Sequence, residues 1–433
     1  MKIHCSGIGG IGLSAYAALQ KSSGHIVSGS DRAETPLTLN LREQGIFVSL
    51  QQDGSAIPKD ADLFVYSEAI PSDCPERILA KEYGMLQQSY FQALGNVSLE
   101  YETVIAVCGT HGKSTTTAMA AHALLAAGKD PTVIVGTKVP VLDGKNWRKG
   151  GKKILLVEAC EYRCSFLHLH PTMILLTNVD WDHVDAFPLR EEYEDAFVQF
   201  VQKLPSHGHV ITHMQECADV LLKAGCENFI DADGISRLQE PKLWGKHMRD
   251  NSRLVIALCH AMDISPAGLL DDFQGCWRRM EEKGQTKHGA LVIDDYAHHP
   301  KEIMATVVTM REKYPDRRLI CVFQPHMFDR IVHFYVDFTK AFLGTCVLLA
   351  DIYEARGEQG KQTQDFMETF ARDISNGSGT DCRYVGSHTN LQVELDKILQ
   401  PQDVVLCMGA GDITNLSSSL TAIISEPACP LRS

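Results

Sequence analysis

The sequence predicts an α/β protein built on parallel β-sheets, and three observations lead to that prediction. Short apolar runs recur along the 433-residue chain, and each ends in glycine or polar residues before a helical stretch. Strands that are buried on both faces and alternate with helices are typical of parallel sheets. At about 150 residues per domain, the length also predicts three domains.

Eight segments carry the strand pattern. They lie at residues 3–6, 104–108, 153–157, 173–176, 291–293, 319–323, 347–350 and 404–407. Parallel sheets bind ligands beyond the carboxyl ends of their strands, so the polar residues after each run mark candidate sites. Segment 375–380, rich in Asn, Gly and Ser, predicts a loop, because these residues interrupt regular structure. Domain boundaries are predicted near residues 98 and 273.

Composition restricts the kind of partner. Lys and Arg number 41 against 54 Asp and Glu, a net charge of −13, which argues against a general nucleic-acid binder. The chain has no apolar run long enough to span a membrane and no signal-peptide pattern. Its fourteen cysteines include no C-x-x-C pair and indicate free thiols in a reducing compartment. We therefore expect a cytoplasmic protein without nucleic-acid or membrane partners, and the sequence leaves open whether it is a monomer or dimer.

A glycine loop, G-I-G-G-I-G at residues 7–12, follows the first predicted strand and precedes a helix. Glycines in this pattern permit a tight turn and let backbone N–H groups approach a diphosphate. Asp31 follows the next strand, where an acid that contacts a ribose would lie. The motif fits either a dinucleotide redox cofactor or a nucleotide sugar, and a tight turn without a ligand is a third interpretation.

A second phosphate loop, G-T-H-G-K-S at residues 109–114, is a shortened variant of the P-loop, because Val107 occupies the position of its first glycine. Lys113 is placed to reach the β- and γ-phosphate oxygens, and Ser114 to bind Mg²⁺. Glu158, at another strand end, offers a hard oxygen ligand for the same ion. Two such loops predict two phosphate-bearing ligands, which a nicotinamide-dependent oxidoreductase built on the first loop leaves unexplained.

These motifs, with several that follow in order, resemble the Mur ligase family of ATP-dependent amide-forming enzymes of peptidoglycan precursor synthesis. The resemblance covers almost the whole chain. It implies a Rossmann-like domain for the UDP-sugar at residues 1–98, a central P-loop ATPase domain at 99–273 and a Rossmann-like C-terminal domain for the amino acid at 274–433. The segments that carry it are residues 7–12, 67–71, 109–117, 158–162, 165–167, 177–178, 182–185, 278–279, 294–300, 323–326 with Arg330, and 408–412.

Within the family, the chain resembles the members that join L-alanine to UDP-N-acetylmuramate. The implied reaction uses ATP and Mg²⁺: the muramic acid carboxylate is phosphorylated, and the amine then attacks the acyl phosphate. A recycling ligase that adds a muropeptide tripeptide to the same sugar nucleotide is an alternative. So is a non-catalytic nucleotide sensor, because Met248 stands where the family has an asparagine near the adenine.

The resemblance also implies roles for individual residues. A histidine titrates near neutral pH and can accept the proton of the attacking amine, and an arginine suits the carboxylate of an amino acid. The candidates are Lys113, Glu158, His183 and His298 for catalysis; Gly109, Thr110, His111, Gly112, Lys113, Ser114, Thr115, Arg279 and Asp295 for ATP; Gly9, Gly10, Ile11, Gly12, Asp31, Ser67 and Asn178 for the UDP-sugar; Tyr296, His298, His326 and Arg330 for the amino acid; and Ser114, Glu158 and His183 for the metal.

Overall fold

The computed structural model describes residues 1–235, 241, 243–354 and 362–421. These residues form three β-sheets of five, seven and six strands. The chain folds into two compact units. The first holds the five- and seven-stranded sheets. The second holds the described residues from Gly275 onward, together with a short segment that ends at Arg249.

The first sheet is wholly parallel, with strand order β3-β2-β1-β4-β5. Two of its helices begin at side-chain caps, Thr35 and Ser89, which each accept a hydrogen bond from an otherwise unpaired backbone N–H. The elements are β1 (Lys2–Ser6), α1 (Ile11–Ser22), β2 (Ile26–Ser30), α2 (Pro36–Glu43), β3 (Phe47–Ser49), β4 (Leu63–Tyr66), α3 (Pro75–Glu82), β5 (Leu86–Ser89) and α4 (Tyr90–Ser98).

The second sheet has the order β12-β11-β10-β6-β9-β7-β8 and is parallel except for β8, an antiparallel edge strand. Its elements are β6 (Thr103–Cys108), α5 (Lys113–Ala126), β7 (Thr132–Val139), β8 (Lys145–Arg148), β9 (Ile154–Glu158), β10 (Met173–Leu176), α6 (Arg190–Val201), β11 (His209–Thr212), α7 (Met214–Ala224), β12 (Phe229–Asp231) and α8 (Lys246–Ala261).

The third sheet has the order β13-β14-β18-β15-β16-β17, and only the edge strand β13 is antiparallel. Its elements are β13 (Glu281–Gln285), β14 (Leu291–Asp295), α9 (Pro300–Lys313), β15 (Leu319–Phe323), α10 (Phe328–His333), α11 (Tyr335–Phe338), β16 (Cys346–Ala350), α12 (Gln364–Ser378), β17 (Asp381–Gly386), α13 (His388–Ile398), β18 (Val404–Met408) and α14 (Ile413–Thr421).

All eight predicted strands are confirmed, and the central ones are the most buried. Strands β15 and β18 are buried along their whole length, as the uninterrupted apolar runs indicate. Strand β14 continues through Asp295, two residues beyond the predicted end. Among the described residues, none of the helices combines the length and the apolar character needed to cross a membrane.

The predicted loop at residues 375–380 is wrong, because its first four residues form the last turn of α12. Gly377 is needed for packing: a Cβ there would lie 2.6 Å from the carbonyl oxygen of Thr339. The Ser378 hydroxyl donates to the same oxygen at 2.6 Å. Gly379, at φ +61°, then ends the helix. The small polar residues that usually interrupt helices are accommodated here because the helix packs closely against Thr339.

Candidate functional site

The first candidate site is the glycine loop between β1 and α1. The carboxyl ends of β1, β2 and β4 lie side by side and bring together the predicted sugar-nucleotide residues except Asn178. The N–H of Gly9 donates to Asp31 Oδ2 at 2.8 Å. Gly7 has φ +77°, and a Cβ there would lie 3.0 Å from that of Ser67. Asp31, the predicted ribose contact, therefore also anchors the loop.

The start of α1 attaches this loop to the second sheet. Gly10 is the N-cap residue of the helix. Gly12 packs so closely on Tyr90 that a Cβ would lie 2.8 Å from its ring. The carbonyl of Ile11 accepts a hydrogen bond from the side chain of Asn146, on β8, at 2.6 Å. The glycine loop is thus held by one aromatic ring and by a residue of the neighbouring sheet.

The second phosphate loop joins β6 to α5, whose first turn contains Ser114 and Thr115. Its two glycines are required by the backbone, since Gly109 and Gly112 have φ +130° and +83°. Both are also required by contact. A Cβ at Gly109 would lie 2.1 Å from Thr177 Oγ1, and one at Gly112 would lie 2.7 Å from Asn251 Oδ1. The loop leads directly into the N-terminus of α5, where the first N–H groups of a helix can bind an anion.

Two residues of this loop use their polar groups to fix its shape. The hydroxyl of Thr110 donates to the carbonyl of Asp180 at 2.7 Å and lies 2.8 Å from Tyr193 Oη. The backbone of His111 exchanges two hydrogen bonds, of 3.0 and 3.1 Å, with the amide of Asn178. Asn178, predicted to contact the UDP-sugar, thus stabilises the second phosphate loop in this structure. Its predicted sugar contact stays a prediction.

Lys113 lies inside the loop, and its ammonium group has three acceptors. It donates to the carbonyls of Gly109 and Thr110 at 2.7 and 2.8 Å and to Glu161 Oε1 at 2.9 Å. Burial alone would lower the pKa of Lys113, but the neighbouring anionic groups, Glu161 foremost, together raise it. Burial would likewise raise the pKa of Glu161, but Lys113 and His183 lower it. Lys113 and Glu161 therefore form an ion pair.

Of the three predicted metal ligands, Ser114 and Glu158 contact each other, whereas His183 contacts a different carboxylate. Ser114 Oγ donates to Glu158 Oε1 at 2.9 Å, and the N–H of Gly136 donates to Oε2 at 2.6 Å. His183 lies instead beside Glu161, with Nε2 3.3 Å from Oε1. No group of three His, Cys, Asp or Glu side chains suited to a metal exists within the described ranges. A hydroxyl and a carboxylate at a phosphate loop nevertheless fit Mg²⁺, which prefers hard oxygens and takes its other ligands from phosphate and water.

In the second unit, Asp295 is the last residue of β14, and Arg278 and Arg279 precede its antiparallel neighbour β13. Asp295 accepts hydrogen bonds from two backbone N–H groups, those of Met280 and Ala297, each at 2.7 Å. Burial raises the pKa of Asp295 to about 6, against the lowering effect of Arg279. The guanidinium of Arg279 lies 5.0 Å from the ring centre of Tyr296. Arg279 and Asp295 are therefore neighbours, and their predicted contact with ATP stays a prediction.

Arg278 shapes the adjacent glycine loop after β18. It donates to the carbonyls of Gly409 and Gly411 and lies 3.5 Å from Asp294. Gly411 is packed tightly as well, since a Cβ there would lie 2.4 Å from the ring of Tyr353. These contacts fix the carboxyl edge of the third sheet beside the predicted amino-acid residues.

The four residues predicted for the amino acid lie together. The rings of Tyr296 and His298 are 5.3 Å apart, and those of His298 and His326 are 5.9 Å apart. The guanidinium of Arg330 lies 3.4 Å from His326 Nδ1, and Arg330 is only 6% exposed. His326 also stacks on Tyr353 at 5.7 Å. A buried arginine beside two histidines can bind a carboxylate and accept a proton from a nearby amine.

Several side chains that contact these sites have no predicted role, among them Glu161, Asn251 and Tyr353. Glu161 stands three residues after Glu158 in a motif that follows a buried strand, so a second carboxylate at that strand end was a visible signal. Tyr353 follows the strand β16 in the same manner. Their partners are distant in the sequence, and only the fold shows them.

Comparisons with known proteins show the family to which the chain belongs. Three family models match in order: the Mur ligase family catalytic domain at residues 2–102, the Mur ligase middle domain at 107–254 and the Mur ligase glutamate ligase domain at 278–411. The chain is 35% identical, over 96% of both sequences, to UDP-N-acetylmuramate–L-alanine ligase of Clostridium perfringens. The chain therefore belongs to the Mur ligase family.

Other relatives carry the same name. The enzyme of Clostridium novyi is 33% identical over 95% of both chains. The crystal structure of UDP-N-acetylmuramate–alanine ligase from Thermotoga maritima matches with a TM-score of 0.80 and 27% identity over 98% of both chains. A murein peptide ligase from Psychrobacter arcticus matches with a TM-score of 0.73 over 99% of this chain and 100% of that one. At 23% identity, the last shows the shared fold alone.

Proposed function

We propose that this protein is an ATP-dependent ligase that joins L-alanine to the muramic acid carboxylate of UDP-N-acetylmuramate, in peptidoglycan precursor synthesis. The observation that carries the proposal is the agreement over 96% of both chains with a UDP-N-acetylmuramate–L-alanine ligase. The two phosphate loops support it, because this reaction needs two phosphate-bearing substrates in one protein.

The first half-reaction is a phosphoryl transfer. The carboxylate of the sugar attacks the γ-phosphate of ATP, and ADP leaves as an acyl phosphate forms. Lys113 and the N–H groups at the start of α5 bind and orient the phosphates. Mg²⁺, held by Ser114, Glu158 and His183, would neutralise phosphate charge. Arg279 and Asp295 complete the proposed ATP residues.

The second half-reaction forms the amide bond. The amine of L-alanine attacks the acyl carbon, and inorganic phosphate leaves. Arg330 binds the alanine carboxylate, and Tyr296 lies against the same group of side chains. His298 or His326 accepts a proton from the amine, which is mostly protonated near neutral pH.

The remaining assignments are part of the same proposal. The UDP-sugar is assigned to Gly9, Gly10, Ile11, Gly12, Asp31, Ser67 and Asn178. We also propose domain boundaries after residues 98 and 273, a cytoplasmic monomer or dimer, and partners limited to small molecules. The net charge of −13 supports the absence of nucleic acid.

The decisive experiment measures phosphate release from ATP with Mg²⁺ and UDP-N-acetylmuramate against single amino acids and one muramyl-type tripeptide. Release with L-alanine alone is expected. Release with the tripeptide alone would favour the recycling ligase. Nucleotide binding without release for any acceptor would favour the sensor, and Met248→Asn would be its first test. An absorbance change with a nicotinamide cofactor would favour the oxidoreductase.

A further inference from the structure

Glu161 lies between two of the proposed catalytic groups. It follows β9, three residues after Glu158, and is completely buried. Its carboxylate lies 2.9 Å from Lys113 Nζ and 3.3 Å from His183 Nε2. A buried carboxylate is costly unless charged partners compensate it, and these two are the ones it contacts. Lys113 and His183, 70 positions apart in sequence, are thus connected through a single side chain.

The contacts of Lys113 show what Glu161 does to phosphate binding. An ammonium group has three protons, and all three are donated, to two loop carbonyls and to Glu161. A nucleotide phosphate that binds Lys113 must therefore displace at least one of these acceptors. Of the three, only Glu161 carries a negative charge, so it is also the one that repels the phosphate.

We propose that Glu161 is a positioning residue that holds Lys113 and His183 in place for phosphoryl transfer and, as an anion, weakens nucleotide binding in doing so. The proposal rests on the ligase function proposed above. A change at Glu161 should therefore affect nucleotide binding and turnover in opposite directions. Loss of the negative charge should strengthen nucleotide binding, and loss of the fixed geometry should slow turnover.

The test is Glu161→Gln in the full chain. We expect the Kd of a non-hydrolysable ATP analogue with Mg²⁺, measured by calorimetry, to fall about 3- to 10-fold, because one repulsive charge is removed. We expect kcat for phosphate release to fall at least about tenfold. Glu161→Asp keeps the charge and shortens the side chain, so it should retain the wild-type Kd and recover only part of kcat. Glu216→Gln, an exposed glutamate on α7, is the matched control and should change neither.

The opposite directions distinguish positioning from structural support. Weaker nucleotide binding together with slower turnover in Glu161→Gln would overturn the proposal, and so would wild-type values of both. The binding measurement needs no acceptor substrate. If wild-type protein released no phosphate with any acceptor, the ligase function would fail, whereas the Kd of Glu161→Gln would still report on the competition at Lys113.

Discussion

At the scale of single residues, two cations of this acidic chain that lie at the proposed sites are paired with carboxylates. Lys113 is paired with Glu161, and Arg278 lies 3.5 Å from Asp294. Such pairing keeps a desolvated cation charged, because the neighbouring carboxylate offsets the loss of hydration. Removal of one partner would leave an uncompensated buried charge. The net charge of −13 is therefore compatible with anion binding, since the local charge at each strand end differs from the average.

Arg330→Lys should raise the KM for L-alanine about 10- to 100-fold and leave the KM for ATP unchanged. A lysine keeps the charge but loses the two-point geometry with which a guanidinium binds a carboxylate. Steady-state kinetics with each substrate varied in turn measure both constants. Arg372→Lys, an exposed arginine on α12, is the control. A parallel rise of the KM for ATP would contradict the assignment of Arg330 to the amino acid.

Asp295 should make the stability of the second unit depend on pH. Its pKa is raised from 3.8 to about 6, so the folded protein keeps a proton that the unfolded chain loses between these values. Stability therefore falls as the pH rises through this window and is constant above it, a change on the order of 2–3 kcal/mol. Asp295→Asn cannot ionise. The melting temperature of the variant minus that of the wild type should thus be greater at pH 7 than at pH 4.5. A pH-independent difference would show that Asp295 does not titrate in this range.

At the scale of helices and strands, all eight predicted segments are inner strands, but the edge strands and the inner strands β4, β7 and β11 are not among them. The buried strands read as continuous apolar runs. Edge strands such as β8 and β13, with the sequences K-N-W-R and E-E-K-G-Q, carry no such pattern because one side is solvated. The short strands β3 and β12, three residues each, are too brief for any periodicity.

The same reasoning explains which site residues were predictable. Residues at strand ends, such as Glu158 and His326, can be located from the strands alone. The bond from Gly136 on β7 to Glu158 depends on the neighbour order β9-β7, which the sequence does not state. Lys113 and Glu161 are likewise far apart in the sequence, and only the fold brings them into contact.

Gly136→Ala should disturb the proposed metal ligand Glu158. An added Cβ would lie 2.8 Å from Glu158 Oε1, so the carboxylate must move. We expect the Mg²⁺ concentration for half-maximal activity to rise about tenfold, measured by titration of phosphate release. Gly234→Ala adds the same methyl group where no atom lies within 4 Å and is the control. An unchanged Mg²⁺ requirement would contradict the role of Glu158.

At the scale of the whole molecule, most of the cysteines should be unreactive until the protein unfolds. Eight of the thirteen described cysteines are buried, so at most six of the fourteen in the chain can react in the native state. Burial raises the pKa of Cys259 to about 11 and those of Cys217 and Cys321 to about 12, so their thiolates are scarce near neutral pH. Titration with a thiol reagent at pH 8 should give no more than six fast groups, and all fourteen in denaturant. More than six in the native protein would contradict this burial.

The hydrogen bond from Asn146 to Ile11 has a consequence for substrate choice. It joins the first phosphate loop to the sheet that carries the second, within one compact unit. A second close approach, Gly95 of α4 against the carbonyl of His168, reinforces the junction. These contacts therefore set the distance between the two phosphate loops before any substrate binds. We expect the protein to select its UDP-sugar substrate by the distance between the diphosphate and the carboxylate. A substrate in which this distance is too short or too long should be rejected, whatever the chemistry of the sugar.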